Sequence, residues 1–350
     1  MAALRALGHE VDDLWAGAWP RRITHHNLHQ LIELPRRYRD VVFDRCKSKQ
    51  YDVVHVNQPH AWLAAKSFKR AGLPGLFLNR SHGWETRAWD AVNRFGEDRR
   101  PLAMRIATQC LRVLLARHNT LVAKYSDGVV VETSGDREAV IEAGAQPKRV
   151  LVLEPGISEL FLSSERPVRS ERYKCLLHAA SYSPHKAPEV VAKVFRQIAS
   201  YSEFSLTWIT EEKAHRRVRE LLGDASRNVR LLSWVDVTTL KDELDAHGFF
   251  LQPSYFEGFS LAFVQAMARG CCVIGTPIDC MTSTIDNGIN GYLCQAGDGD
   301  AMADIVLNSK EPDNRRVSEA AAATASNFTW QNTAQKLVDF CGTLQKDKDP

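Results

Sequence analysis

Glu257 and Gln265 stand eight residues apart in the run Pro253-Ser254-Tyr255-Phe256-Glu257-Gly258-Phe259-Ser260-Leu261-Ala262-Phe263-Val264-Gln265-Ala266-Met267-Ala268-Arg269-Gly270. The run reads as a buried strand, a short turn with a glycine, and a helix that starts at the turn. Such a helix start aims unpaired backbone N–H groups and the positive end of a dipole at one spot, which suits a phosphate. At about 3.6 residues per turn, Gln265 lies two turns in from Glu257, so both side chains can line one cleft. A second patch is Ala180-Ser181-Tyr182-Ser183-Pro184-His185-Lys186-Ala187, directly after an apolar strand. A lysine in a strand-to-helix turn can reach a phosphate as a point charge. The third patch is Asn79-Arg80-Ser81-His82-Gly83, with His82 at the end of another strand. Each has a plainer reading: Glu257 as a helix cap, Lys186 as a solvated turn lysine, His82 as a histidine bonded to backbone.

The elements that would position these residues alternate between strand and helix. Val53-Val54-His55-Val56, Leu76-Phe77-Leu78, Val129-Val130-Val131 and Val150-Leu151-Val152-Leu153 are short and apolar, with the character of buried parallel strands. Helical patterns separate them, one over about 102–123 and another after the N-cap candidate Ser134. A break at Glu154-Pro155-Gly156 and a polar stretch around Pro167 divide the chain. The sequence therefore predicts an α/β fold with an N-terminal domain over 1–157, a linker over 158–172, a second α/β domain over 173–325, and a C-terminal helix and tail over 326–350. In the second domain strands are expected at 175–178, 206–209, 229–232, 249–252 and 272–275. His55 and His178, lying within strands, read as core or packing histidines. Ala2 to Leu7 reads as the end of a helix stopped by Gly8, with Glu10-Val11 entering a strand. A doubly wound domain should have a central strand and a glycine-rich turn before that helix. The N-terminal domain is thus expected to lack its first strand, which reads as a truncation or a misassigned start.

Composition sets outer limits. With 44% hydrophobic and 25% charged residues, the 350-residue chain has the make-up of an ordinary globular protein. No apolar run has membrane length and the N-terminus lacks the apolar core of a signal peptide. Eight cysteines occur without paired metal spacing, as in a reduced cytoplasmic chain. Residues 1–155 carry 24 Lys and Arg against 17 Asp and Glu, and the remainder 21 against 25. A basic first half suits an acidic partner or an anionic membrane surface, although a solvated face is the simpler account. The helical stretch 28–45, with Arg36, Arg37 and Arg39, could likewise lie against a membrane, but Pro35 interrupts it. His25-His26 and His29 lack partners with metal spacing and read as a polar loop. Nothing in the pattern calls for nucleic acid.

These residues resemble the retaining glycosyltransferases of the GT-B fold, family 4, also called group 1. Pro253-Ser254, Glu257-Gly258-Phe259, Leu261, Ala266-Met267-Ala268, Gly270 and Val273-Ile274 match that family's long motif in register. Asp286 to Leu293 resembles its following segment, and Ser181 to Ala187 its lysine turn. Leu7 to Val11, Asp52 to His55, Ser81-His82-Gly83 and Glu154 to Ile157 fit its N-terminal domain, and Phe328-Thr329-Trp330 its C-terminal helix. The resemblance implies two Rossmann-like doubly wound domains facing a cleft. It implies transfer of a sugar from a nucleotide-diphosphate donor, UDP- or GDP-linked, to a glycan, lipid-linked or small-molecule hydroxyl in cell-surface polysaccharide or glycoconjugate assembly. It implies no tightly bound cofactor and no metal, so Asp298-Gly299-Asp300 reads as a chance DxD. Its setting is cytoplasmic, with peripheral contact at the inner membrane face a further option.

The resemblance also assigns roles. Glu257 would contact donor-sugar hydroxyls. Gly258, Phe259, Ser260 and Leu261 would present backbone N–H groups to sugar and diphosphate. Lys186 would neutralise the departing diphosphate, and His82 would stand near the reacting sugar. Two positions depart from the pattern. Gln265 stands where a ribose-binding Glu belongs, and Ser181 stands where an Arg would clamp phosphate, leaving Arg80 as the base to compensate. With the glycine-rich loop missing as well, a degenerate sugar-nucleotide-binding relative, acting as an assembly partner, is the alternative.

Overall fold

Alternation of short apolar strands with helices produces two compact parallel α/β units. The computed structural model describes residues 1–15, 21–25, 28–84, 86, 87, 90, 91, 102–163, 165, 166, 170–201 and 203–348. Contacts group Met1–Trp89, Asp98–Glu154 and Trp330–Pro350 into the first unit, and Asp90–Glu97 with Pro155–Thr329 into the second.

The first unit runs α1 (Ala2–Ala6), α2 (Leu34–Ser48), β1 (Val53–Asn57), α3 (Trp62–Arg70), β2 (Leu76–Arg80), α4 (Leu102–Tyr125), β3 (Gly128–Val131), α5 (Ser134–Glu142) and β4 (Val150–Val152). Its sheet has the order β1-β2-β3-β4, with every pair parallel. The central strands are buried on both faces, which is why they read as unbroken apolar runs. Val54 and Val56 pack with Val42, Ala61, Phe68 and Phe77. Strand alternation then sends His55 to the other face of an edge strand, where it is exposed and not a packing residue as expected. The helix Trp330–Lys348 returns to this unit and lays Leu344 and Phe340 on Leu76 and Leu78. Gly128 makes that approach possible: a Cβ there would sit 2.7 Å from Leu344 Cδ1 and 2.9 Å from Phe340 Cε1.

Two local expectations change. No strand forms at Glu10-Val11; Lys49 instead holds the stretch by bonding Glu10 and Asp12, with Arg5 donating to the Val11 carbonyl. Pro35 does not interrupt its helix. It lies in the first turn of α2, at the junction where a π-helical turn, His29–Glu33, gives way to the α-helix.

The second unit contains α6 (Glu159–Leu162), β5 (Cys175–Ala179), α7 (Pro188–Ile198), β6 (Ser205–Ile209), α8 (His215–Leu222), β7 (Val229–Leu232), α9 (Val237–Ala246), β8 (Phe249–Gln252), α10 (Leu261–Ala268), β9 (Cys272–Gly275), α11 (Asp279–Thr282), β10 (Tyr292–Leu293), α12 (Gly299–Asn308) and α13 (Glu311–Ala325). Its parallel sheet has the order β10-β9-β8-β5-β6-β7. Leu176, Trp208, Phe249 and Leu251 face Val190, Val194 and Phe195 of α7. Their neighbours Leu177, Ile209, Phe250 and Val273 face Phe263, Val264 and Met267 of α10. The stretch expected as a linker, 158–172, brings the buried side chains Phe161 and Arg172 into this unit.

His178 is such a packed residue. It is buried on β5, shares a 2.8 Å hydrogen bond with the Leu251 carbonyl, and meets Trp208 edge-on. Burial pushes its pKa down to about 4, against the pull of that carbonyl. The folded protein keeps this ring neutral while the unfolded chain protonates near 6.5. Its contribution to stability is therefore full above about pH 6.5 and lost as pH falls toward 4, on the order of 3 kcal/mol in total. Denaturant melts between pH 7 and 4 should show this slope, and His178→Gln should flatten it.

Candidate active site

In the second unit the strand order reverses between β5 and β8, and the loops leaving their C-terminal ends diverge there. In open α/β sheets this is where ligands bind. The loop after β5 carries Lys186 and the loop after β8 carries Glu257, so the two patches singled out in the sequence flank one switch point.

Local conformation aims the lysine. Residues Pro184–Lys186 form a single 3-10 turn, and Ala187 then takes a left-handed conformation with φ 50 and ψ 53. A residue before proline is disfavoured in the right-handed helical region, and Pro188 opens α7. A left-handed alanine costs about 1–2 kcal/mol, which the burial of Ala187 in the core helps to offset. Tyr255 N–H donates to the His185 carbonyl at 2.8 Å and ties the two loops together. Burial lowers the His185 pKa, with Lys186 adding to the effect.

Lys186 Nζ donates to Glu257 Oε1 at 2.7 Å and to Oε2 at 2.6 Å. Gln252 Nε2 at 2.9 Å and Ser254 Oγ at 2.7 Å also donate to Oε1. The Glu257 side chain is 7% exposed and that of Lys186 18%. One carboxylate oxygen thus has three donors, while Oε2 takes Lys186 alone and keeps lone-pair capacity for another. Ser254 is itself fixed, since Thr276 Oγ1 donates to its carbonyl. Neither Gln252 nor Ser254 takes a role from the sequence: Ser254 stands there only as part of the motif match, and the one signal of Gln252 is polarity at the end of an apolar strand.

The turn then enters α10. Ser260 is the N-cap but makes no side-chain cap bond, so the first N–H groups of α10 are not capped by it. Phe259 packs its ring against Phe263 and Phe328. Leu261 is exposed, Gly258 is half-buried and Gln265 is half-buried further along the helix. Ser181 lies 3.3 Å from Ser183 Oγ and makes no bond to Lys186 or Glu257. The N–H of Tyr182 beside it donates to Glu211 at 2.9 Å, which holds that carboxyl below its usual range.

His82 belongs to the first unit, where β2 and β3 are neighbours. Its Nδ1 donates to Glu132 Oε1 at 2.7 Å, and Arg80 Nη2 donates to the same oxygen at 2.9 Å. Arg80, expected as a spare phosphate base, is buried and already paired. Glu132 also went unread in the sequence.

The metal-like motif has ordinary work. Asp298 caps α12 by accepting from Ala301 N–H, and Asp300 bonds Lys193 and Gln197. Among the described residues no three His, Cys, Asp or Glu side chains are grouped to hold a metal ion. Nor is any described helix long and apolar enough to cross a membrane.

Residues 173–309 match the family Glycosyl transferases group 1, a span that holds Lys186, Glu257 and Gln265. The D-inositol 3-phosphate glycosyltransferase of Mycobacterium tuberculosis is 25% identical over 234 residues, covering 62% of this chain and 48% of that protein. The chain thus spans about half the length of the curated relatives it matches. Sucrose-phosphate synthase of Thermosynechococcus elongatus is similar in structure, with a TM-score of 0.72 and 17% identity, over 93% of this chain and 81% of that one. Anabaena HepE, solved with UDP and glucose, has a TM-score of 0.67 and 17% identity over 93% and 84%. At such identities the likeness is one of fold: two parallel-sheet α/β domains of the GT-B type.

Proposed function

We propose that this chain, whose second unit carries the group 1 glycosyl transferase match, is a retaining glycosyltransferase of family 4. It moves a sugar from a UDP- or GDP-linked donor to a hydroxyl of a glycan, lipid-linked or small-molecule acceptor, in assembly of a cell-surface polysaccharide or glycoconjugate. The observation that carries the reading is the Lys186–Glu257 pair at the switch point, beside an α10 N-terminus that no side chain of its N-cap closes.

The donor's diphosphate lies at the start of α10, where the N–H groups of Gly258 to Leu261 and the helix dipole favour negative charge. Lys186 turns from Glu257 toward the leaving oxygens, and Glu257 Oε2 accepts a sugar hydroxyl in its place. The bond from the anomeric carbon to the diphosphate breaks as the acceptor oxygen attacks from the same face. The acceptor's proton passes to a departing phosphate oxygen. Lys186 meets negative charge that grows along this path, so its effect falls on the transition state more than on binding. The surplus of Lys and Arg in residues 1–155 suits a phosphate-bearing acceptor or an anionic surface. HepE, solved with UDP and glucose, makes UDP-glucose the first donor to try.

The test is a panel of nucleotide sugars, scored for binding and for release of nucleoside diphosphate. Release with one donor is expected. Binding without release across the panel would replace the transfer reading with that of a binding protein. Gln265 gives a graded prediction. Its amide bonds a ribose diol as a neutral group, and a carboxylate makes hydrogen bonds about twice as strong. Gln265→Glu should tighten donor binding by roughly 1 kcal/mol, about fivefold, as read by calorimetry. Unchanged affinity would remove Gln265 from the ribose contact.

A further inference from the structure

The parallel register of β2 and β3 sets a histidine opposite a carboxylate. Arg80 pairs with Val130, and the Ser81 N–H continues the ladder to the Val130 carbonyl. Carried two residues further, the same register brings His82 level with Glu132, just past the end of β3. The two side chains meet at 2.7 Å through His82 Nδ1. The Glu132 side chain is 4% exposed and that of His82 44%, so the carboxylate is the fixed part and the ring reaches outward. Arg80 answers the charge of the buried carboxylate at the same oxygen. His82 therefore need only donate one hydrogen bond there.

That bond has a chemical consequence for the opposite edge of the ring. A carboxylate can only accept, so Nδ1 must carry its proton, and a neutral imidazole then offers Nε2 as an acceptor. An acceptor suits a hydroxyl, whereas a phosphate oxygen needs a donor. We infer that Glu132 is a positioning residue that sets the tautomer of His82, so that Nε2 takes a hydrogen bond from a sugar or acceptor hydroxyl and not from phosphate. The hydroxyl part rests on the transfer reading above; the tautomer part stands on the register and the two bonds to Glu132.

The tautomer is read directly by 15N NMR of histidine-labelled protein near neutral pH, with the His82 signals identified by their loss in His82→Gln. The expected pattern is a protonated Nδ1 and an unprotonated Nε2. Removing Glu132 alone would strand the buried Arg80 charge, so the informative variant is Arg80→Met/Glu132→Met, which removes both. There the His82 signals should move to the Nε2-protonated form. Glu132→Gln also leaves the Arg80 charge unanswered, but it keeps an acceptor oxygen for Nδ1 and should retain the wild-type pattern. An unprotonated Nδ1 in the wild type, or no change in the double variant, overturns the assignment. With a donor from the panel, the double variant should lose about 100-fold in kcat with little change in donor KM, and Glu132→Gln should stay near wild type. A loss confined to KM would make Glu132 a structural residue. The NMR arm needs no substrate, so refusal of every donor would sink the transfer reading while the tautomer is still decided.

Discussion

Lys186→Met lowers kcat/KM for the nucleotide-sugar donor by about 10²–10³, most of it in kcat. The lysine is positioned by features that act together: the single turn Pro184–Lys186, the left-handed Ala187, and the tie from Tyr255 to the His185 carbonyl. Its charge is answered by Glu257. On the proposed reading a diphosphate would give it a second partner, and Glu257 would still have Gln252 and Ser254 as donors to Oε1. The same geometry predicts a loss of stability in the variant. Stripping one member from a buried pair commonly costs about 3–5 kcal/mol, and the two remaining neutral donors put this case at the lower end. The two effects separate in Lys186→Met/Glu257→Gln. The second change removes the stranded charge, so the melting temperature should return toward that of the wild type while turnover stays lost. Steady-state kinetics and thermal melts on the three proteins decide it. If Lys186→Met turns over donor within threefold of the wild type, the lysine is only a structural partner of Glu257.

The parts of this site that can be read from the chain are those whose chemistry needs a short, contiguous run. A strand, a turn with Glu257 and Gly258, and a helix beginning at Leu261 are adjacent in sequence, and so is the strand and turn that deliver Lys186. Periodicity also predicts both sheets, because strands buried on two faces must be apolar throughout. What escaped depends on register between segments far apart. Glu132 is one carboxylate after an apolar strand; its meaning comes from lying opposite His82, fifty residues away. Gln252 gains its role from the carboxylate five residues on, once the turn folds back. Helix α9 was missed although Asp236 caps it and Val237, Leu240 and Leu244 keep helical spacing. Its mean apolar content is low because one narrow stripe suffices to pack it. The strand expected at Glu10-Val11 failed for the converse reason: two residues after a helix stop imply a strand only if a neighbour pairs with them, and the bonds made there are to Lys49 and Arg5 instead.

Arg269→Met should be the most damaging structural change in the second unit. In the motif the residue is an unremarkable position between Ala268 and Gly270, yet its side chain is fully buried. Its Nε and Nη2 grip both oxygens of Asp245 at 2.6 and 3.1 Å. Its Nη1 donates to the carbonyls of Phe161 and Ser163, and Nη2 to that of Glu165. A second buried arginine works beside it: Arg172 donates to the carbonyls of Leu244, His247 and Arg269 itself. These two side chains fasten the 159–172 stretch to α9 and to the end of α10, satisfying backbone groups that no sheet or helix ladder can reach. Methionine fills similar volume but donates nothing. Asp245 keeps only Lys241, at 2.8 Å, and three carbonyls lose a partner. A broken buried pair costs about 3–5 kcal/mol, and at about 2–4 °C per kcal/mol for a unit of this size the melting temperature should fall by about 10 °C. Adding Asp245→Leu should not restore it, since the carbonyls remain unanswered; a full recovery would show that the Asp245 charge alone made Arg269 necessary. Arg216→Met, at an exposed i,i+4 pair on α8, should leave the melt unchanged and serves as the control. A fall of less than 3 °C in Arg269→Met would mean that water takes over the carbonyls, and that the stretch 159–172 is held by Phe161 and Arg172 instead.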